Sequence, residues 1–303
     1  MEAQTPGLDS RQPASPSVPL TRPQRPRELQ DALNFHLYHP LAWQLARQLA
    51  KTPVTPNMVS VAGAVLVVLA GVAYSMPWGV PAALLGLFLH MSWHVVDGAD
   101  GDLARMTGRS SPTGEMVDGL CDYLSHTVLY LTLGVLLQHQ IGWLAWVATL
   151  GAGASHIVQA NHVEVQRRQY QYWVYGTPWI RQTQADVDST AKAGFGALLA
   201  AYLNVAAGMT PYALKIDALA ADARGNVSAL DKIACEARSR LEPLLAMLKI
   251  LGPNPRALIL GASMLAGSPL WYFLYYIALN LLLAFSVVRH NRAARRIEAA
   301  LTA

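Results

Sequence analysis

The 303-residue chain is short of charge and of cysteine: 14% of its residues are Asp, Glu, Lys or Arg, and it holds two cysteines. A soluble domain carries about a quarter charged residues, so this shortage excludes an ordinary water-facing surface and directs attention to a membrane. Cys121 and Cys235 are too few for a disulfide framework and read as free thiols. Lys and Arg are missing altogether from 54–104, 110–166 and 257–288. Residues 1–30 lack any apolar run and hold six prolines, which excludes a signal peptide or a span there and predicts a disordered, solvated tail.

What fills the base-free intervals is apolar. Crossing a hydrocarbon core of about 30 Å takes about twenty mostly apolar residues. Six stretches meet this roughly: 58–75, 77–96, 116–137, 141–160, 246–266 and 269–289. They pair as three hairpins with short links near Met76, Gln140 and Gly267 that contain no Lys or Arg. The opposite ends carry Arg47, Lys51, Arg105, Arg109, Arg167, Arg168, Arg289 and Arg292. The positive-inside rule therefore predicts an inner-membrane protein with both termini, and the stretch around Arg105, in the cytoplasm.

The expected fold class is all-α and polytopic, with six transmembrane helices. Residues 31–52, with Phe35 and Trp43 among Arg47 and Lys51, predict an amphipathic helix lying along the interface. Residues 53–160 should hold spans one to four, 161–245 a cytoplasmic helical insert, 246–289 spans five and six, and 290–303 a basic tail. Within the insert, 193–209 is apolar enough to be weighed as a seventh span, but Gly194, Gly196, Asn204 and Gly208 interrupt it. The tyrosines and tryptophans near Arg167, Arg168 and Arg181 suggest a membrane-interface belt beside ordinary basic anchoring or a phosphate site.

One stretch gathers acid. Residues 97–122, DGADGDLARMTGRSSPTGEMVDGLCD, contain Asp97, Asp100, Asp102, Glu115, Asp118 and Asp122. Asp97 and Asp100 share one helix face, as do Asp118 and Asp122, so two antiparallel helices bring four carboxylates together at the membrane edge. Their repulsion calls for positive charge between them, and all-oxygen ligation suits two hard divalent ions, Mg²⁺, Mn²⁺ or Ca²⁺. Such a pair clamps a pyrophosphate. Gly101, Ala104 and Gly114 leave room for a nucleotide, and Arg105 and Arg109 can neutralise phosphate oxygens. Asp102 lies on another side of the helix and reads as solvated or paired with Arg105, while Glu115 suits a helix N-terminus. His94 and His126 read as satisfied histidines of a helix interface, with support of the site as the sharper alternative.

The full pattern, D-x2-D-G-x2-A-R-x8-G-x3-D-x3-D over Asp97, Asp100, Gly101, Ala104, Arg105, Gly114, Asp118 and Asp122, resembles the signature of the CDP-alcohol phosphotransferase family of membrane enzymes. The resemblance covers 34–160 and 246–289, including Thr55-Pro56-Asn57 before the first span. It implies that Asp97, Asp100, Asp118 and Asp122 hold two metals, that Asp122 is also the general base, and that Gly101, Ala104, Arg105 and Gly114 line the CDP site. It further implies transfer of a substituted phosphate from a CDP-alcohol to a hydroxyl acceptor with release of CMP, in a homodimer. The favoured donor is CDP-diacylglycerol, with a small polar alcohol such as glycerol phosphate, inositol, inositol phosphate or serine as acceptor. CDP-choline or CDP-ethanolamine with a lipid alcohol is the alternative.

Two other classes compete. A calcium-binding EF-hand loop fails because Ala99 stands where that loop needs Asp or Asn. A cation transporter would hold its acids near the bilayer midplane on a broken helix, whereas these lie at a hairpin end beside Arg105 and Arg109. The basic run 289–296 beside a span is explained by anionic lipid headgroups, and nucleic-acid binding is not indicated.

Overall fold

The computed structural model describes residues 25–177 and 208–302, all helical with no strand among them. After a turn at Arg27–Leu29 and a wide helical turn at Asn34–Tyr38, the helices are α1 His39–Leu49, α2 Pro56–Tyr74, α3 Val80–Met106, α4 Pro112–Ile141 and α5 Leu144–Tyr175. There follow α6 Ala213–Asp222, α7 Val227–Leu241, α8 Leu245–Ile250, α9 Pro253–Leu265 and α10 Leu270–Thr302. The stretch 193–209, weighed as a seventh span but read as part of the insert, and Arg181 lie outside the described residues, apart from Gly208 and Met209.

Local sequence sets where the two helices at the site begin. Thr55 caps α2, its hydroxyl accepting from the Met58 amide at 3.4 Å, and Ser111 caps α4 by accepting from the Gly114 amide at 3.1 Å. Each cap is followed by a proline, Pro56 or Pro112, at the first helical position, where a missing N–H costs nothing.

Six helices close into a ring in which α2 packs between α3 and α4, α4 against α5, α5 against α10, α10 against α9, and α9 against α3. Their shared core draws Val67 and Tyr74 from α2, Trp93 from α3, Leu129 and Leu133 from α4, Ala152 from α5, Leu260 from α9 and Phe273 from α10. Glycine lets α3 approach closely: a Cβ at Gly86 would lie 2.5 Å from the ring of Tyr74. At one end of the ring Gln140 joins two of the links, donating to Gly267 O at 3.2 Å and accepting from the Ser268 hydroxyl at 2.5 Å.

Four of these helices, α2, α3, α4 and α10, are long and apolar enough to cross a membrane. They account for the stretches 58–75, 77–96, 116–137 and 269–289. The other two differ from expectation. The stretch 141–160 is the first half of a 32-residue helix, α5, that carries polar residues through its later turns. The stretch 246–266 is divided at Leu251 and Gly252 between α8 and α9, because Pro253 has no amide to continue the earlier helix. With 13 residues α9 spans about 20 Å, short of a hydrocarbon core of about 30 Å.

Other expected boundaries also move. Residues 161–175 continue α5 rather than opening a separate insert, and 290–302 continue α10 rather than forming a tail. These two extensions pack with α6 and α7 around Val163, Tyr170, Trp173, Ile216, Ile233, Ala237, Leu241 and Ile297. Tyr170 and Trp173 are therefore buried in a helical core, not placed in a membrane-interface belt; Trp173 donates to Asp217 Oδ1 at 2.8 Å. Residues 25–30, read from sequence as part of a solvated tail, are anchored by Leu29 in the same core. α1 lays Ala42, Trp43 and Ala46 against Ala99, Leu103 and Met106 of α3, so Trp43 meets protein. Both cysteines are free thiols.

Candidate metal centre and donor site

The C-terminal part of α3 and the first turns of α4 run antiparallel past the N-terminus of α2. Carboxylate oxygens of Asp97, Asp118 and Asp122 all fall within 4.8 Å of one another, a spacing that one shared cation can bridge. Asp100 adjoins this trio: its carboxyl contacts that of Asp118, as that of Asp97 contacts that of Asp122. Carboxylates approach this closely only around a shared proton or cation.

Each acid is also held by neighbours. Ser60, on α2, donates its hydroxyl to Asp100 Oδ2 at 2.5 Å. The indole nitrogen of Trp93, one turn before Asp97 on α3, donates to Asp122 Oδ1 at 3.2 Å. His126 Nδ1 lies 2.9 Å from the Asp122 backbone carbonyl, and its ring packs edge-on to Trp93 at 4.6 Å. His94 stacks on Tyr38 at 4.9 Å. Both histidines sit in helix interfaces, but only His126 is the satisfied residue read from sequence, bracing the turn that carries Asp122, whereas His94 Nε2 is buried without a hydrogen-bond partner among the described residues. Trp93 and Ser60 were not singled out from sequence. The signals were there: Trp93 precedes Asp97 by four residues and so shares its face, and Ser60 is the one Ser or Thr in the apolar run of α2.

Asp102 has a different role from the four. It is 2% exposed and pairs with two guanidiniums, Arg105 from its own helix and Arg25 from the segment before α1, the latter at 2.8 Å. The paired alternative for Asp102 holds and the solvated one does not. Burial pulls the Arg25 guanidinium below its ordinary value, and the Asp102 carboxylate opposes that shift. No Lys or Arg among the described residues forms an ion pair with Asp97, Asp100, Asp118 or Asp122. An all-oxygen donor set without an ion-paired Lys or Arg fits hard divalent cations.

The remaining positions of the pattern line the same end. A Cβ at Gly101 would meet the Arg105 guanidinium at 3.4 Å, and one at Gly114 would meet Ser111 Oγ at 3.3 Å and Asn57 Oδ1 at 3.8 Å. Glycine at both places keeps this floor low. Ala104 is half-buried between them, and Glu115 sits in the first turn of α4. Arg109 stands apart with its side chain exposed, on the turn where Gly108, at φ +65°, ends α3. The amino ends of α2 and α4 supply partial positive charge beside the acids.

A ring of helices, four of them long and apolar enough to cross a membrane, with a cluster of acids spaced to hold a cation, is the architecture of a helical integral membrane protein. The sequence pattern of the CDP-alcohol phosphatidyltransferase family matches residues 53–220, more than half of the chain, and the protein belongs to that family. It is thus a transferase that moves a phosphate group from a CDP-alcohol to an alcohol acceptor, in a family that typically uses divalent metals. The match runs into the 161–245 region, which the resemblance read from the motif did not cover, and stops short of α9 and α10.

Proposed function

We propose that this protein transfers a phosphatidyl group from CDP-diacylglycerol to a small polar alcohol, releasing CMP, at a two-metal centre held by Asp97, Asp100, Asp118 and Asp122. The observation that carries this reading is the convergence of the Asp97, Asp118 and Asp122 oxygens within 4.8 Å, with Asp100 against them and no arginine or lysine ion-paired to any of the four among the described residues. Two divalent ions bound there would balance the charge of the pyrophosphate and of the CMP that leaves.

The chain's own residues supply the rest. Gly101, Ala104 and Gly114 leave space for the CDP moiety, and Arg105, with Arg109 at the rim, faces its phosphates. Asp122 is the general base: the Trp93 indole fixes one of its oxygens and leaves the carboxylate oriented to take the acceptor hydroxyl's proton as that oxygen attacks the phosphorus. The bond from phosphorus to the CMP oxygen breaks, and CMP carries off that electron pair.

The ring also supports a six-crossing topology, in which the 13 residues of α9 cross together with the turns of α8 that precede them. The first half of α5 exposes Trp143, Leu144, Val147 and Leu150, as a lipid-facing surface does, and Gln140 ties the α4–α5 link to the α9–α10 link at one level. In this arrangement α1 is the interfacial helix, and the basic ends support a site and termini that face the cytoplasm. The family resemblance supports a homodimer.

The test is CMP release by the detergent-solubilised protein, with Mg²⁺ or Mn²⁺, from CDP-diacylglycerol presented with glycerol phosphate, inositol, inositol phosphate or serine. Turnover with one acceptor is expected. Turnover only with CDP-choline or CDP-ethanolamine and diacylglycerol would reverse the donor assignment, and no CMP release from any donor would refute the enzyme.

A further inference from the structure

Arg25 lies outside the family match, yet it reaches into the middle of the motif. Its Nη2 donates at 2.8 Å to Asp102 Oδ1, the same oxygen that accepts from Arg105. The two arginines differ in freedom: Arg105 has a side chain 51% exposed, whereas the segment carrying Arg25 is fixed on several sides. Gln30, itself 4% exposed, donates to the Arg25 carbonyl at 2.7 Å and meets His39 Nδ1 at 2.7 Å through its other atom. Glu28 accepts from the hydroxyls of Tyr170 and Tyr175 on α5. Leu29 is buried in the core beside α5 and α7. Arg25 is thereby aimed at Asp102 by a strap anchored on two helices.

We propose that Arg25 is a positioning residue for the donor, acting through Asp102 to release Arg105 onto the pyrophosphate. The triad of two guanidiniums and one carboxylate carries one net positive charge, so one arginine is in excess of what Asp102 requires. When a diphosphate arrives, Arg105 turns to it and Asp102 stays paired with Arg25. Without Arg25, Asp102 and Arg105 form an exclusive pair of no net charge. Turning Arg105 outward then strands a carboxylate that is 2% exposed, which is costly because breaking a buried pair leaves an uncompensated charge. This inference rests on the reading that Arg105 faces the donor phosphates.

The test uses the full chain in detergent and CDP with Mn²⁺ as the probe, with affinity read by calorimetry. Arg25→Gln is expected to weaken CDP about tenfold, with Arg25→Lys in between, as charge-assisted pairing predicts. In an Asp102→Asn background, where nothing restrains Arg105, adding Arg25→Gln is expected to change CDP affinity less than about twofold, the near-additive limit. Turnover at saturating CDP-alcohol should change little in Arg25→Gln, because only donor capture is affected.

Undiminished CDP affinity in Arg25→Gln would overturn the inference. So would a loss of equal size with and without Asp102, since Arg25 would then act on something else, or a loss that simply follows a fall in the unliganded melting temperature. Failure of the unaltered protein to bind CDP, with Asp97→Asn behaving identically, would remove the donor site itself, a result distinct from failure of Arg25 alone.

Discussion

The indole nitrogen of Trp93 on α3 lies 3.2 Å from Oδ1 of Asp122 on α4, so one helix fixes the orientation of a carboxylate on the next. A hydrogen bond to a charged group is worth roughly 1.5–3 kcal/mol, and its loss frees the acid to rotate. Trp93→Phe keeps an aromatic ring in the core and removes the donor. The expected outcome is a fall in kcat of about tenfold or more with the donor KM nearly unchanged, because the interaction bears on proton transfer and not on CDP. Steady-state CMP release measures both constants; a change confined to KM would sink this role.

Ser60 stands behind the metal centre in the same way, its hydroxyl 2.5 Å from Asp100 Oδ2. Partners of ligating carboxylates typically contribute about 10–100-fold in metal affinity. Ser60→Ala is expected to raise the Mn²⁺ concentration needed for half-maximal activity by about tenfold, at the low end of that range, and to restore near-normal turnover at saturating metal. A Mn²⁺ titration of activity reads this directly, and an unchanged midpoint would remove Ser60 from the site.

Packing of the ring depends on Gly86. Adding a Cβ there brings it to 2.5 Å from Tyr74, a ring that is itself buried and has no slack to give. Overpacking of this kind costs about 1–3 kcal/mol, so Gly86→Ala is expected to lower the melting temperature in detergent by several degrees. Gly153→Ala is the control, since its Cβ would meet Tyr130 at 3.8 Å, an ordinary contact. Thermal unfolding of the two variants side by side should separate them; equal stability would argue against a tight α2–α3 contact.

The site was more legible in the sequence than the fold around it, for a physical reason. Carboxylates in an apolar chain are costly, so Asp97, Asp100, Asp118 and Asp122 stand out, and helical spacing alone places them on facing surfaces. Span limits depend instead on tertiary support. The break in 246–266 is the exception: Lys249, Pro253 and Arg256 already interrupt the apolar run, and Pro253 starts a new helix. Helices α5 and α10 outrun their apolar segments because α6 and α7 cover the emerging turns, and no window of local sequence announces that cover. Arg25 was hidden for the same reason: its partner, Asp102, is 77 residues away.

The four aspartates should destabilise the metal-free protein that they make active. Asp118 touches Asp100 and shares with Asp97 and Asp122 a space of 4.8 Å, so in the absence of cations bringing these acids of α3 and α4 together costs either repulsion or the uptake of a shared proton. Asp118→Asn removes one of those acids at nearly constant shape. In chelator the variant is therefore expected to melt above the unaltered protein, because less of that cost remains between the helices. Addition of Mn²⁺ with CDP should reverse the order: binding to the folded state alone stabilises by mass action, about 2.7 kcal/mol at a hundredfold excess over Kd, and the variant lacks a ligand for it. Activity should be lost in the variant at every metal concentration. Melting curves of both proteins, with chelator and with Mn²⁺ and CDP, make the measurement; retained protection in Asp118→Asn would show that the cation sits elsewhere.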